Sequence, residues 1–203
     1  MSDFVRSLET LELVGGALCL DFVNTVNSRV NPEHDYLTSY SDLVSWANKV
    51  GILSPAQANQ LLRRAKQNTD EAKDTLERAR TLREVLYRLF SSAANNSEPD
   101  KKDIEMFVTT FGETIAHSQF LKQAKHYVTR WKVDETFDAV LWPIIHSAGE
   151  LLLSEELGNV KKCPGCGWLF LDTSKNQSRR WCSMNTCGAR DKMRRYHKRK
   201  QVK

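Results

Sequence analysis

Four cysteines near the C-terminal end of the chain stand in the arrangement Cys163-x2-Cys166-x15-Cys182-x4-Cys187. Two close pairs separated by a span long enough for a β-hairpin have the spacing of a structural zinc site. Each pair wraps one side of a tetrahedral ion, and the hairpin carries the second pair to the opposite side. In "CPGCGW" the residues Pro164, Gly165 and Gly167 suit a tight knuckle whose backbone N–H groups face sulfur. "WLFLD" reads as a strand, "TSKNQS" as a turn and "RRWC" as the returning strand. A module of about 40 residues cannot build much of a core, and a metal replaces it. The expected cofactor is one structural Zn²⁺ per chain, held by Cys163, Cys166, Cys182 and Cys187. Four thiolates close the coordination shell and leave no position for a reacting water. An iron–sulfur cluster is the competing occupant. A redox Cys-x-x-Cys would need a βαβ setting that the surrounding residues do not provide.

Positive charge gathers around these thiols. Residues 161–203 hold thirteen Lys and Arg against Asp172 and Asp191, a net of +11 within a chain of +5, so the remainder is acidic at −6. Such asymmetry suggests an appended polyanion-binding module, a solvated basic tail being the alternative. The segment "CGARDKMRRYHKRK" reads as a helix starting near Cys187. There Ala189, Met193 and Tyr196 form a narrow apolar stripe able to dock on Trp168, Phe170 or Trp181. The expected nucleic-acid contacts are Arg179, Arg180, Arg190, Lys192, Arg194, Arg195, Lys198 and Arg199. Arg190 alternatively braces the fold against Asp172.

The composition, 40% apolar in 203 residues, is that of an ordinary folded protein. No apolar run approaches the ~20 residues of a membrane span, and "MSDFVRSLET" lacks the basic and apolar regions of a secretory signal. A cytoplasmic protein is expected. Five cysteines, an odd number, argue against a disulfide framework. His117, His126 and His146 show no triad or metal spacing, and near the finger only His197, Asp172 and Asp191 could supply hydrolytic ligands. No catalytic residue is expected, and the protein is read as a non-enzyme.

The segment "CPGCGWLFLDTSKNQSRRWCSMNTCGARDKMRRYHKR" resembles the CGNR zinc finger, with Trp168, Phe170, Asp172, Ser174, Arg179, Arg180, Trp181, Gly188, Arg190 and Lys192 at motif positions. It departs from the name-giving tetrapeptide at Ala189, where the family has asparagine, and so loses any hydrogen bond that asparagine makes at the helix start. Upstream, "GGALCLDFVNTV", "YSDLVSWANKVGILSPAQANQL" and "ARTLREVLYRLFSSAAN" are similar to the ABATE domain. The resemblance implies a transcription regulator with a ligand-responsive first domain.

The elements that must position the finger are mainly helical. "SYSDLVSWANKVG" carries cap residues Ser39 and Ser41 and stops at Gly51. "SPAQANQLLRRAKQ" restarts with Ser54 as cap and Pro55 in the first turn. The pair could be taken for a DNA-reading helix-turn-helix, but its cations Arg63, Arg64 and Lys66 sit at the end of the second helix, so it reads as an αα-hairpin. "TDEAKDTLERARTLREVLYRLFSSAAN" spaces Ala72, Leu76, Ala79, Leu82, Leu86 and Leu89 as one long amphipathic helix. "IEMFVTTFGETI" and "WPIIHSAGELLLSEEL" are further helices, and Tyr127, Val128, Thr129, Trp131 and Val133 suggest a hairpin. "GGALCLDFVNTV" fits strand and helix equally. Its polar Asp21, Asn24 and Thr25 either brace the fold through hydrogen bonds or line a small-molecule pocket.

The expected fold is therefore mainly α with a small β component. A helical domain over residues 1–158 precedes a four-cysteine zinc finger of hairpin plus C-terminal helix over 159–203. Two functions fit. One is a regulator binding duplex DNA through the finger, its helical domain sensing a ligand or mediating oligomerisation. The other is a zinc module that grips RNA or an acidic protein.

Overall fold

The amphipathic spacing from Ala72 to Leu89 becomes the central strut of the protein, α4 (Thr69–Ala94), about 39 Å long. The computed structural model describes residues 7–32, 34–132 and 136–201, apart from the Gln201 side chain. Among these residues α1 (Leu18–Val23), α2 (Tyr40–Lys49), α3 (Pro55–Gln67), α5 (Lys101–Ala116) and α6 (Trp142–Leu152) complete the helical body. Strands β1 (Gln119–Gln123) and β2 (His126–Arg130) form an antiparallel hairpin between α5 and α6. Strands β3 (Val160–Lys162) and β4 (Leu169–Leu171) form a second, and α7 (Ala189–Gln201) follows.

Local chemistry sets the helix starts. Ser39 accepts from Asp42 N while the Asp42 carboxylate accepts from Ser39 N at 2.8 Å, and Ser54 makes the same reciprocal pair with Gln57 ahead of Pro55. Each box satisfies donors that a helix leaves open at its first turn. Helices α2 and α3 pack on each other and on α4 as the αα-hairpin expected. Val133 lies outside the described residues, while Tyr127 to Thr129 fall in β2 as expected.

The segment that fits strand and helix equally is the short helix α1. Cys19, Leu20, Phe22 and Val23 are all buried, so consecutive residues point into the core, which a half-exposed strand does not allow. Phe22 packs on Trp46 with ring centroids 5.4 Å apart. The Asp21 carboxylate accepts from Gly15 N at 2.8 Å, closing a turn in which a side chain at Gly15 would sit 2.7 Å from Asp21 N.

The apolar core continues without interruption from the helical body into the finger, from Phe22, Trp46 and Phe90 to Leu169, Phe170 and Trp181. Strand β4 is the seam. Lys161 and Phe170 are opposed on one side of the hairpin. On the other side Leu171 N donates to Gly15 O at 2.7 Å and Leu169 N donates to Asn24 Oδ1 at 3.0 Å.

This seam corrects the expected finger hairpin. The partner of β4 is β3, which precedes the first cysteine, and "RRWC" forms no strand. The edge that a returning strand would need is already taken by the helical body. The turn of the hairpin is instead the metal knuckle itself, with Cys163 N bonded to Trp168 O and Gly167 N to Cys163 O, both at 2.8 Å.

Candidate metal centre and the helix beyond it

The two halves of the cysteine set arrive by different routes. Cys163 and Cys166 sit on the β3–β4 turn, where Gly167 takes φ +74°. A side chain there would meet Arg29 Cβ at 2.8 Å, so glycine is required both for the turn and for the close approach of the body. Cys182 and Cys187 are brought in by the loop after β4 and by a single π-type turn, Met184–Gly188, leading into α7.

Asp172 shapes that loop. Its carboxylate accepts from Ser174 N (3.0 Å), Ser174 Oγ (2.6 Å), Arg179 N (2.9 Å) and Lys161 Nζ (2.6 Å). The Lys161 ammonium, together with these donors, holds the carboxyl well below the usual carboxylate range. Lys161 also reaches the Gln177 carbonyl, tying strand and loop together. Every acceptor position of Asp172 is thus occupied without Arg190, and the Asp172–Arg190 brace does not form.

The four sulfurs lie within 4.8 Å of one another, all buried, with Cys166 Sγ 3.5 Å from Cys182 Sγ and Cys182 Sγ 3.7 Å from Cys187 Sγ. A tetrahedral zinc–thiolate site with bonds of about 2.3 Å has sulfur–sulfur edges of about 3.8 Å, so the donor set fits the ion in type, number and spread. The four cysteines constitute one structural zinc site. The ion supplies a cross-link between the knuckle and the α7 turn.

The body grips this centre from outside. Arg29 N donates to Cys166 O at 2.7 Å, Ser28 Oγ to the same carbonyl at 3.3 Å, and Trp168 Nε1 to Val26 O at 2.7 Å. Arg29 is in turn fixed by Glu84 (2.5 Å), by Val23 O (2.6 Å) and by the face of Tyr87 (4.3 Å). No periodicity singled out Arg29. An arginine in a loop gives no local signal of a partner 55 residues away.

The residues in "DFVNT" prove to be braces. Asn24 exchanges two hydrogen bonds with Leu169. Thr25 Oγ1 donates to Phe22 O (2.7 Å) and accepts from Arg83 (3.2 Å), and Asp21 closes the turn at Gly15. All three side chains are thus committed to hydrogen bonds within the fold, the arrangement the brace alternative describes.

The cations separate into two groups. The Arg179 guanidinium donates to Trp181 O (3.0 Å) and to Cys182 O and stacks on Phe170 at 4.6 Å, which commits it to the finger itself. Arg180 covers Trp181 at 5.0 Å, and Arg194 and Arg195 pair with Asp191 at 3.1 and 2.5 Å. Arg190, Lys192, Lys198 and Arg199 stand exposed on α7 with no ion pair among the described residues. The apolar stripe does not dock on the hairpin as expected, for Met193 is 59% and Tyr196 53% exposed. The rings it would cover are already faced by Arg179 and Arg180. No described helix is long and apolar enough to cross a membrane.

Residues 16–155 match the family model ABATE, described as "Putative stress-induced transcription regulator", and residues 159–200 match the CGNR zinc finger. Neither description names an enzyme. No curated protein is similar enough to the chain to count as a match.

Proposed function

Because the chain belongs to the ABATE family and carries a CGNR zinc finger, we propose that it is a transcription regulator that binds duplex DNA with α7 and uses its helical body to sense a small ligand. The observation that carries this reading is the state of α7. Every residue from Ala189 to Lys200 except Asp191 is exposed, and the helix leaves the zinc centre bearing seven Lys and Arg. A helix of about 20 Å length and 10–12 Å diameter suits a B-DNA major groove of about 12 Å width. Arg190, Lys192, Lys198 and Arg199 supply the free cations, while Met193 and Tyr196 supply apolar contact of the kind a thymine methyl accepts. Arg179 serves the site indirectly, by holding the loop that carries Cys182. The body and finger act as sensing and binding halves over residues 1–158 and 159–203, in the cytoplasm, where the thiols stay reduced.

The test is a competition of duplex DNA against structured RNA on the zinc-loaded protein at one fixed salt concentration, followed by a salt titration. Four to six phosphate contacts predict an affinity loss of ~10²- to ~10³-fold between ~50 and ~200 mM salt. Arg190→Ala should weaken duplex binding with an unchanged thermal midpoint. Preference for RNA, or salt-independent binding, overturns the reading.

A further inference from the structure

A cavity of about 820 Å³ opens between α4, α5 and the turn that leads into α6. Its inner wall is apolar: Leu82, Val85, Phe107, Leu141 and Ile145 line it, each at most 7% exposed. Trp142 adds a ring that lies flat against His117, with centroids 4.7 Å apart and planes within 9°. Met106, 46% exposed, stands at the mouth, where an unbranched thioether adapts to different ligand shapes.

The charges around this wall have one dominant sign. Glu71, Glu77, Glu113 and Asp138 line the cavity, and Arg78 is the one Lys or Arg among its lining residues. Arg78 is consumed by Asp138, through bonds of 2.9 and 2.8 Å, and by Thr75. Glu77 is paired with Arg80 at 2.6 Å. Glu71 and Glu113 keep no ion pair among the described residues. A second feature is independent of the carboxylates. The Thr114 side chain, 1% exposed, lines the cavity as well.

We propose that this cavity is a ligand site for an organic cation, an apolar ring-bearing body that carries an amine or quaternary ammonium group. The apolar wall takes the body of such a ligand and Trp142 offers a ring beside it. The Thr114 hydroxyl accepts or donates one hydrogen bond at depth. Glu71 and Glu113 meet the positive group near the mouth, while an anion of similar size is repelled there. Cation–ring attraction adds to the preference. This assignment rests on the reading of the helical body as the sensing half, and it names the chemistry that half would sense.

The experiment uses the full-length, zinc-loaded protein and two fluorescent probes of similar size, rhodamine 6G as the cation and 8-anilinonaphthalene-1-sulfonate as the anion. Saturable rhodamine binding is expected, tighter than that of the sulfonate. The double variant Glu71→Gln, Glu113→Gln should weaken it about 5-fold, and Met106→Arg, a change at the exposed mouth, should weaken it further. Glu155→Gln with Glu156→Gln, carboxylates outside the cavity, should leave it unchanged. Absence of saturable rhodamine binding, equal binding of the two probes, or unaltered affinity in both the double variant and Met106→Arg overturns the proposal. Because the readout is direct, it does not depend on DNA binding. A bound probe that leaves duplex affinity unchanged would keep the site and remove its sensing role.

Discussion

Asn24 and Leu169 lie 145 residues apart in sequence and exchange two hydrogen bonds, Asn24 Nδ2 donating to Leu169 O at 2.8 Å and Leu169 N donating to Asn24 Oδ1 at 3.0 Å. Both residues are buried, Asn24 at 1% and Leu169 at 0% exposure. The side chain of Asn24 therefore behaves as an extra strand residue for β4, satisfying a backbone edge that water cannot reach. Asn24→Ala would leave both Leu169 groups unpaired at a cost of ~2–4 kcal/mol. The thermal midpoint should fall by ~5–10 °C. A midpoint within a degree of the parent would show that water or a shifted strand replaces the amide.

Metal removal should loosen more than the finger. Cys166 O is held by Arg29 N and Trp168 Nε1 by Val26 O, so a knuckle released from zinc releases residues 23–30 as well. Hydrogen exchange after chelation should rise across residues 15–29 together with 160–188. Likewise a chain ending at Gly158 should be markedly less stable than the whole, since it leaves Gly15 O and the Asn24 amide unpartnered. A truncated protein with the parent's stability would contradict this coupling.

Burial pushes the Asp21 carboxyl up to about 6, against the opposing hydrogen bonds from Gly15 and Val14. Its folded value lies above the unfolded value of about 3.9. The folded state therefore favours the protonated form, and that contribution is present below ~pH 4 and is lost as pH rises through about 6. Asp21→Asn keeps the oxygen that accepts from Gly15 N and removes the charge. Between ~pH 4 and ~pH 7 the variant should gain about 2–3 kcal/mol on the parent in denaturant unfolding. Measuring both proteins in parallel cancels the loss of zinc at acid pH that they share. A constant difference across this window would show that Asp21 is ionised throughout.

Arg179→Lys tests whether that arginine serves the fold. Lysine cannot reproduce the fork that joins Trp181 O and Cys182 O or the stack on Phe170. Stability should fall by ~1–2 kcal/mol, and a chromophoric chelator should withdraw zinc faster. An Arg179 that acted only on nucleic acid would leave both measurements of the free protein unchanged.

Helix caps at Ser39 and Ser54, the long strut through Leu76 and Leu86 and the four metal ligands were legible in sequence because each rests on contacts within a few residues or on a spacing that one ion dictates. The partner of β4 was not. Its second edge is filled from Gly15 and Asn24, and nothing near Leu169 signals residues so distant. Asn24 and Thr25 within an apolar run showed only that partners were needed. The change of charge sign near residue 160 suggested a division of the chain, yet charge is a property of the surface and the core beneath runs through. The stripe Ala189, Met193, Tyr196 had helical spacing, but spacing does not reveal that Arg179 and Arg180 already cover the rings it would meet.

The seam between Gly15–Arg29 and Asn159–Asp172 also sets an order of events during synthesis. A ribosome delivers α1 and its neighbours first, but the strand that completes their bonding leaves the exit tunnel only after some ~140 further residues have been translated. Until then the Asn24 amide waits without its partner. The final step of folding therefore falls at the moment the last cysteines capture their ion. Cellular zinc supply would then govern how many newly made chains finish folding, and a shortage would be felt as fewer mature molecules rather than as mature molecules of lower activity.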